Sequence, residues 1–246
     1  DGLMMSGHFG AWAMARNNWA LLEGYILHQK PYRESSVIAE FFSRDEGRIP
    51  LLFNGLRGKN SRRKAGGLIQ PFDHLAINVA PRGDMRRAEL KDQLSSSLKV
   101  VGTRTFFGMY VNELVYRLSV REERTPEIFD LYHRFMEALK LESFQVRFLT
   151  GFEVQFLKAL GYAIDLTRAD GGEQFVEASK RYRFDPEVGL VTDPLGAFSG
   201  VELKAVLSES DLDSSQTALR SVIDSLISHL LRGRRINARA LCDKYR

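Results

Sequence analysis

The 246-residue chain has one cysteine, Cys242, so it can form no internal disulfide and has no multi-cysteine set to hold zinc. Its five histidines (His8, His28, His74, His133, His229) are scattered, with no HExxH pattern. A P-loop is missing too: Gly55-Leu56-Arg57-Gly58-Lys59 lacks both the spacing and the hydroxyl. No apolar run approaches the roughly 18 residues that span a bilayer, and no stretch reads as a secretory signal. These absences assign no catalytic residue, no metal and no cofactor. The expectation is a non-enzymatic, cytoplasmic protein without a membrane partner.

What is present is charge, unevenly placed. The formal net charge is +4, yet residues 20–95 carry +4, residues 96–228 carry −5 and residues 229–246 carry +5. Residues 55–64 hold Arg57, Lys59, Arg62, Arg63 and Lys64 with no acid and no apolar period. Such a loop repels itself, so a polyanion that neutralises it is the expected partner. Arg232, Arg234, Arg235 and Arg239 crowd the other end; a helix C-terminus accounts for one or two of them, not all. If the two ends meet in space, they form one cationic track for nucleic acid.

Residues 1–19 lack a clear period and are expected to be a loosely ordered leader. From 20 to 95 the pattern is β: Tyr25 to Leu27, Ser36 to Phe42, Ile49 to Phe53 and Leu75 to Val79, punctuated by Lys30-Pro31, Asp45-Glu46-Gly47 and Pro81-Arg82-Gly83-Asp84. Short strands over about 75 residues predict an OB-type barrel that binds nucleic acid. From 96 to 246 the period is helical, through Phe106 to Leu118, Pro126 to Leu139 and Phe148 to Leu160, with Gly161 as a stop. Residues 165–198 lose that period and predict an irregular or short-stranded, metal-free insertion. Helix resumes where Ser199 and Glu202 have capping-box spacing, continues from Ser214 to Leu231, and is predicted once more from Asn237 as N-cap. The fold class is therefore α+β multidomain, an N-terminal barrel followed by a mostly helical domain.

Tyr32, Phe53 and Phe72 flank the basic loop and are candidates either for base stacking or for barrel core. Arg147 beside Phe148 and Phe152 suggests a groove for an acidic peptide with a hydrophobic end, or plain bundle core. Asp165, Asp170 and Glu173 resemble a metal cluster but lie in a Gly-rich polar stretch that a solvated loop explains as well. A Mg²⁺ nuclease built on such acids and an OB-type RNA-binding or ribosome-assembly factor are the rival functions.

The chain resembles the bacterial recombination mediator family RecO. The likeness rests on Leu27-His28-Gln29-Lys30-Pro31-Tyr32-Arg33-Glu34-Ser35-Ser36, Glu46-Gly47-Arg48, the Gly55-to-Lys59 loop, Leu68-Ile69-Gln70-Pro71-Phe72, Tyr110-Val111-Asn112-Glu113-Leu114, Phe152-Glu153 and Leu160-Gly161-Tyr162. It implies an OB-fold, a helical domain, binding of single- and double-stranded DNA, and annealing of complementary strands. It also implies recognition of the acidic, phenylalanine-ended tail of single-stranded DNA-binding protein (SSB), and work with RecR to load RecA. Many relatives carry a four-cysteine zinc module in the segment matching 165–200. This chain has no cysteine there, which implies the zinc-less proteobacterial type.

Overall fold

The computed structural model describes residues 18–54, 70–81, 83, 85–208 and 212–245. The chain first builds β1 (Ala20–Tyr32), β2 (Ser36–Ser43), β3 (Gly47–Phe53), β4 (His74–Val79) and β5 (Arg86–Ser95). Their order, β1-β2-β3-β5-β4, closes into a barrel, with β3 and β5 parallel and the other pairs antiparallel. Side chains alternate between the faces of a strand. Val37, Ala39 and Phe41 therefore point inward with Ile49, Leu51, Phe53, Leu75, Ile77 and Val79 to fill the barrel. This is the predicted OB-type barrel, one strand richer than the sequence suggests. Within β5 only Ala88 and Leu90 turn toward the core, among charged neighbours. Pairing with β3 and β4, not apolar alternation, makes it a strand.

The described residues fall into two compact units, divided at 142/143 and again at 237/238. The first contains the barrel, α1 (Thr103–Leu118), α2 (Pro126–Leu139) and the short α6 (Arg239–Asp243). Pro126 occupies the first turn of α2, as expected of a residue without an amide proton. The outward face of β1 and β2 is covered as well: Tyr25 and Phe42 meet Tyr132 at 5.1 and 5.7 Å between ring centroids. That is why β2 is buried at almost every position. Glu40 shares this covered face and is paired with Arg48 at 2.8 Å and with Arg121. Arg48 also donates to the Ser119 carbonyl at 2.8 Å. Gly47 before it has φ +68°, and a Cβ there would strike the Glu123 backbone. Gly47-Arg48 thus fastens the barrel to the α1–α2 connection, while Glu46 pairs with Arg86 of β5. Similarly, the Phe72 ring fills the space that a side chain at Gly108 of α1 would need.

α6 starts at Arg239, two residues after the predicted Asn237 cap. The amide of Ala238, which precedes it, donates to the Glu113 carboxylate of α1 at 3.1 Å, so a partner distant in sequence helps to hold this helix start.

His74, on the outward side of β4, stacks on Tyr25 at 4.8 Å and lies 5.0 Å from the His133 ring. Its Nε2 is buried, with no hydrogen-bond partner among the described residues. Burial first, then the positive form of His133, pull its pKa down to about 4; Lys140 adds to this and Glu137 opposes it. The unfolded chain therefore binds a proton on this ring between about pH 6.5 and 4 that the folded chain refuses. The contribution is intact above pH 6.5 and is lost as pH falls toward 4. Compared with His74→Phe, the native protein should lose about 1–2 kcal/mol more stability between pH 7 and 5, allowing for partial screening. Urea unfolding at the two pH values checks this; equal losses would refute it.

The second unit holds α3 (Arg147–Ala159), five short strands, α4 (Gly200–Ser208) and α5 (Leu212–Leu231). The strands are β6 (Arg168–Ala169), β7 (Gln174–Phe175), β8 (Arg181–Asp185), β9 (Gly189–Thr192) and β10 (Phe198–Ser199), ordered β10-β8-β9-β6-β7. α3 stops as predicted: the amides of Gly161 and Tyr162 bond back to Lys158 and Leu157 at 2.9 and 2.8 Å. The Ser199–Glu202 capping box forms reciprocally, at 2.8 and 3.2 Å. The sheet packs Leu166, Ala169, Tyr182 and Leu190 against Leu203 and Val222 of the helices. Tyr182 keeps its hydroxyl satisfied by accepting the Glu177 amide at 2.8 Å.

Candidate nucleic-acid interface

The barrel presents one end where the basic sequence begins. Val37 pairs with Phe53, and the Ser36 hydroxyl donates to Asn54 Oδ1 at 3.1 Å, which ties the end of β3 to the start of β2. Tyr32 pairs with Ser36 across the β1–β2 turn. Directly after Asn54 comes Gly55 and the cationic stretch with Arg57, Lys59, Arg62, Arg63 and Lys64, which lies outside the described residues.

The three flanking aromatics part ways. Phe53 and Phe72 are buried and belong to the packing of the first unit. Tyr32 is 37% exposed, and the Arg33 guanidinium lies over its ring, 5.2 Å from the centroid. Arg33 itself has φ +52° and, like Lys30, is exposed. Neither Lys30 nor Arg33 stands out by composition. Lys30-Pro31, read from the sequence as a break between strands, instead lies inside β1, paired with Ile38 and Val37, and the turn follows at residues 33–35 because the ladder to β2 continues to Tyr32.

The C-terminal cations are divided between the units. Arg232, Arg234 and Arg235 follow α5 in the second unit, all exposed; Arg239 opens α6 in the first and is partly buried. Arg234 donates to the Leu231 carbonyl at 3.1 Å, the service to a helix end that a cation is suited to. Arg239 lies 3.6 Å from Asp243. Within this group, Arg232 and Arg235 are the exposed cations best placed to offer their charge to an outside anion.

In the second unit, Arg147 and Phe148 face solvent at the start of α3, with the guanidinium 5.8 Å from the ring centroid. Phe144 meets Phe148 edge to face at 5.7 Å. Phe152 is 3% exposed and stacks on Phe156, so it belongs to the packing of the second unit and not to the exposed face. The acids of the insertion have structural bonds. Asp170 accepts the Thr192 amide and hydroxyl at 2.8 and 2.7 Å, which hold its carboxyl below the usual range. Asp165 accepts from Thr167 in the same manner. Among the described residues, no group of three or more His, Cys, Asp or Glu side chains is placed to hold a metal, and no helix is long and apolar enough to cross a membrane.

Family comparison agrees with this architecture. Residues 18–93 match the model "Recombination protein O N terminal", and residues 101–227 match "Recombination protein O C terminal". The chain is 32% identical over 224 residues to DNA repair protein RecO of Pseudoalteromonas atlantica, covering 89% of this chain and 92% of that one. It is 32% identical over 197 residues to the Alteromonas mediterranea protein of the same name, covering 79% and 82%. For DNA repair protein RecO of Klebsiella pneumoniae the figures are 31% over 202 residues, 80% and 82%.

Proposed function

The chain belongs to the RecO family of DNA repair proteins, and on that premise we propose that it is a recombination mediator that binds single- and double-stranded DNA and anneals complementary strands. The observation that carries this reading is an OB-type barrel whose β3–β4 connection carries, over residues 55–64, five cations and no acid. Two phosphodiester strands repel each other. Neutralising both on Arg57, Lys59, Arg62, Arg63 and Lys64, helped by Arg232, Arg234, Arg235 and Arg239, lowers that repulsion and releases counterions. Complementary bases then meet, and no covalent step is needed.

The mediator role adds protein partners. The exposed Arg147–Phe148 face of α3, with Phe152 buried one turn further on, suits the acidic SSB tail and its terminal Phe: the cation meets the carboxylates and the ring packs on the ring. Engagement of SSB concentrates the protein on coated strands at the nucleoid, where with RecR it promotes RecA loading. Titration of a labelled SSB tail peptide tests this. Binding should be saturable, and deletion of the final Phe should weaken it at least tenfold. Equal binding of both peptides, or of neither, would reject the mediator reading and leave a general nucleic-acid binder.

A further inference from the structure

From the β1–β2 hairpin tip we infer that Tyr32 is a base-stacking residue, which takes an unpaired base of single-stranded DNA while Arg33 and Lys30 hold the phosphates beside it. This rests on the DNA-binding reading and deepens it. Three observations converge. Of the three aromatics near the basic sequence, Phe53 and Phe72 are enclosed by packing, whereas Tyr32 keeps 37% of its surface exposed on a strand end. A large exposed ring gains nothing from water, and every base has an apolar face to offer it. The ring also carries a cation of its own: Arg33, turned back by a left-handed backbone, lies over it at 5.2 Å. The charge is thus within one nucleotide's reach of a stacked base, and Lys30 lies two residues before the ring on the same exposed arm.

The third observation is position. Tyr32 pairs with Ser36, Ser36 bonds Asn54, and Asn54 is the residue from which the sequence 55–64 departs. The ring therefore stands at the barrel end that launches the phosphate-neutralising stretch. A strand whose backbone is drawn to those cations passes a ring on which a base can rest. Paired bases keep their faces covered by neighbours in the duplex, so the ring discriminates where the cations do not. The division of labour is physical: the cations supply salt-dependent affinity for any strand, and Tyr32 supplies salt-independent preference for an unpaired one.

The test compares the wild-type full chain with Tyr32→Ala and Tyr32→Trp, binding a labelled oligothymidylate and a duplex of equal length across a salt series. Tyr32→Ala should weaken single-strand binding about tenfold. Duplex binding should stay within about twofold, and the slope of log K against log salt should be unchanged on both. Tyr32→Trp should restore single-strand affinity, with indole quenching beyond that of wild type as strand is added. Because it keeps an aromatic ring at the same exposed position, Tyr32→Trp also controls for any folding defect of Tyr32→Ala. Loss on both substrates alike, or a changed salt slope, overturns the stacking role. Wild-type binding that Tyr32→Ala leaves untouched overturns it alone, whereas wild-type protein that binds neither substrate overturns the DNA-binding reading with it.

Discussion

Reversal of Arg57 and Lys59 to glutamate is expected to weaken binding to single-stranded and duplex DNA of every sequence by about 100-fold at 0.1 M salt. The magnitude follows from counterion release. Each neutralised phosphate adds about 0.9 to the slope of log K against log salt on duplex and about 0.7 on single strands. Removing two phosphate-binding side chains therefore flattens the slope by about 1.8 and 1.4, and the introduced carboxylates add repulsion. If the proposed annealing acts through neutralised strands, it should fall with binding. Fluorescence anisotropy over a salt series gives both quantities. A variant that weakens binding with its salt slope intact would show that these side chains act through something other than phosphate. Opposite behaviour is expected of Tyr32→Ala, which separates the electrostatic from the stacking contribution on one protein.

Arg220→Ala should unfold the second unit at a temperature more than about 10 °C lower, a loss of about 3 kcal/mol. Glu153 of α3 is fully buried, and both amino groups of Arg220 on α5 reach it, at 2.5 and 3.2 Å. Arg220 also reaches Asp224 one turn along its own helix. A carboxylate taken out of water is tolerable while a bidentate guanidinium faces it; without that partner it keeps its desolvation cost. The loss should be much smaller in Glu153→Leu/Arg220→Leu, where charge and countercharge leave together. Calorimetry of the single and double variants decides the matter. A neutral Arg220→Ala, or a double variant as unstable as the single one, would show that the pair does not hold α3 to α5.

Hydrophobic period was enough to place much of this architecture. The faces of α1, α2 and α3 follow from spacing along the helix, as do the ends set by Pro126, Gly161 and the Ser199–Glu202 box. β3 and β4 show an inward set at every second residue, whereas β2 reads as a near-continuous apolar run. The signals are local: a side chain's place on a helix or strand depends on residues within one or two turns. The candidate interface was legible in part for the same reason. A run of cations without acids is visible in the sequence, and so is an aromatic beside Lys30-Pro31.

Other features depend on partners far along the chain, and no window of sequence contains them. β5 is a strand because β3 and β4 accept its backbone. The start of α6 is held in part by Glu113, more than a hundred residues earlier, which accepts from the Ala238 amide. Phe53 and Tyr32 look alike as aromatic residues near a basic stretch, yet barrel closure encloses one and leaves the other at a hairpin tip. Local period thus specified most of the elements, and composition the charge they carry. Which ring stays exposed, and which acids and cations pair with each other, was settled only when distant segments came together, since burial and pairing belong to the folded whole.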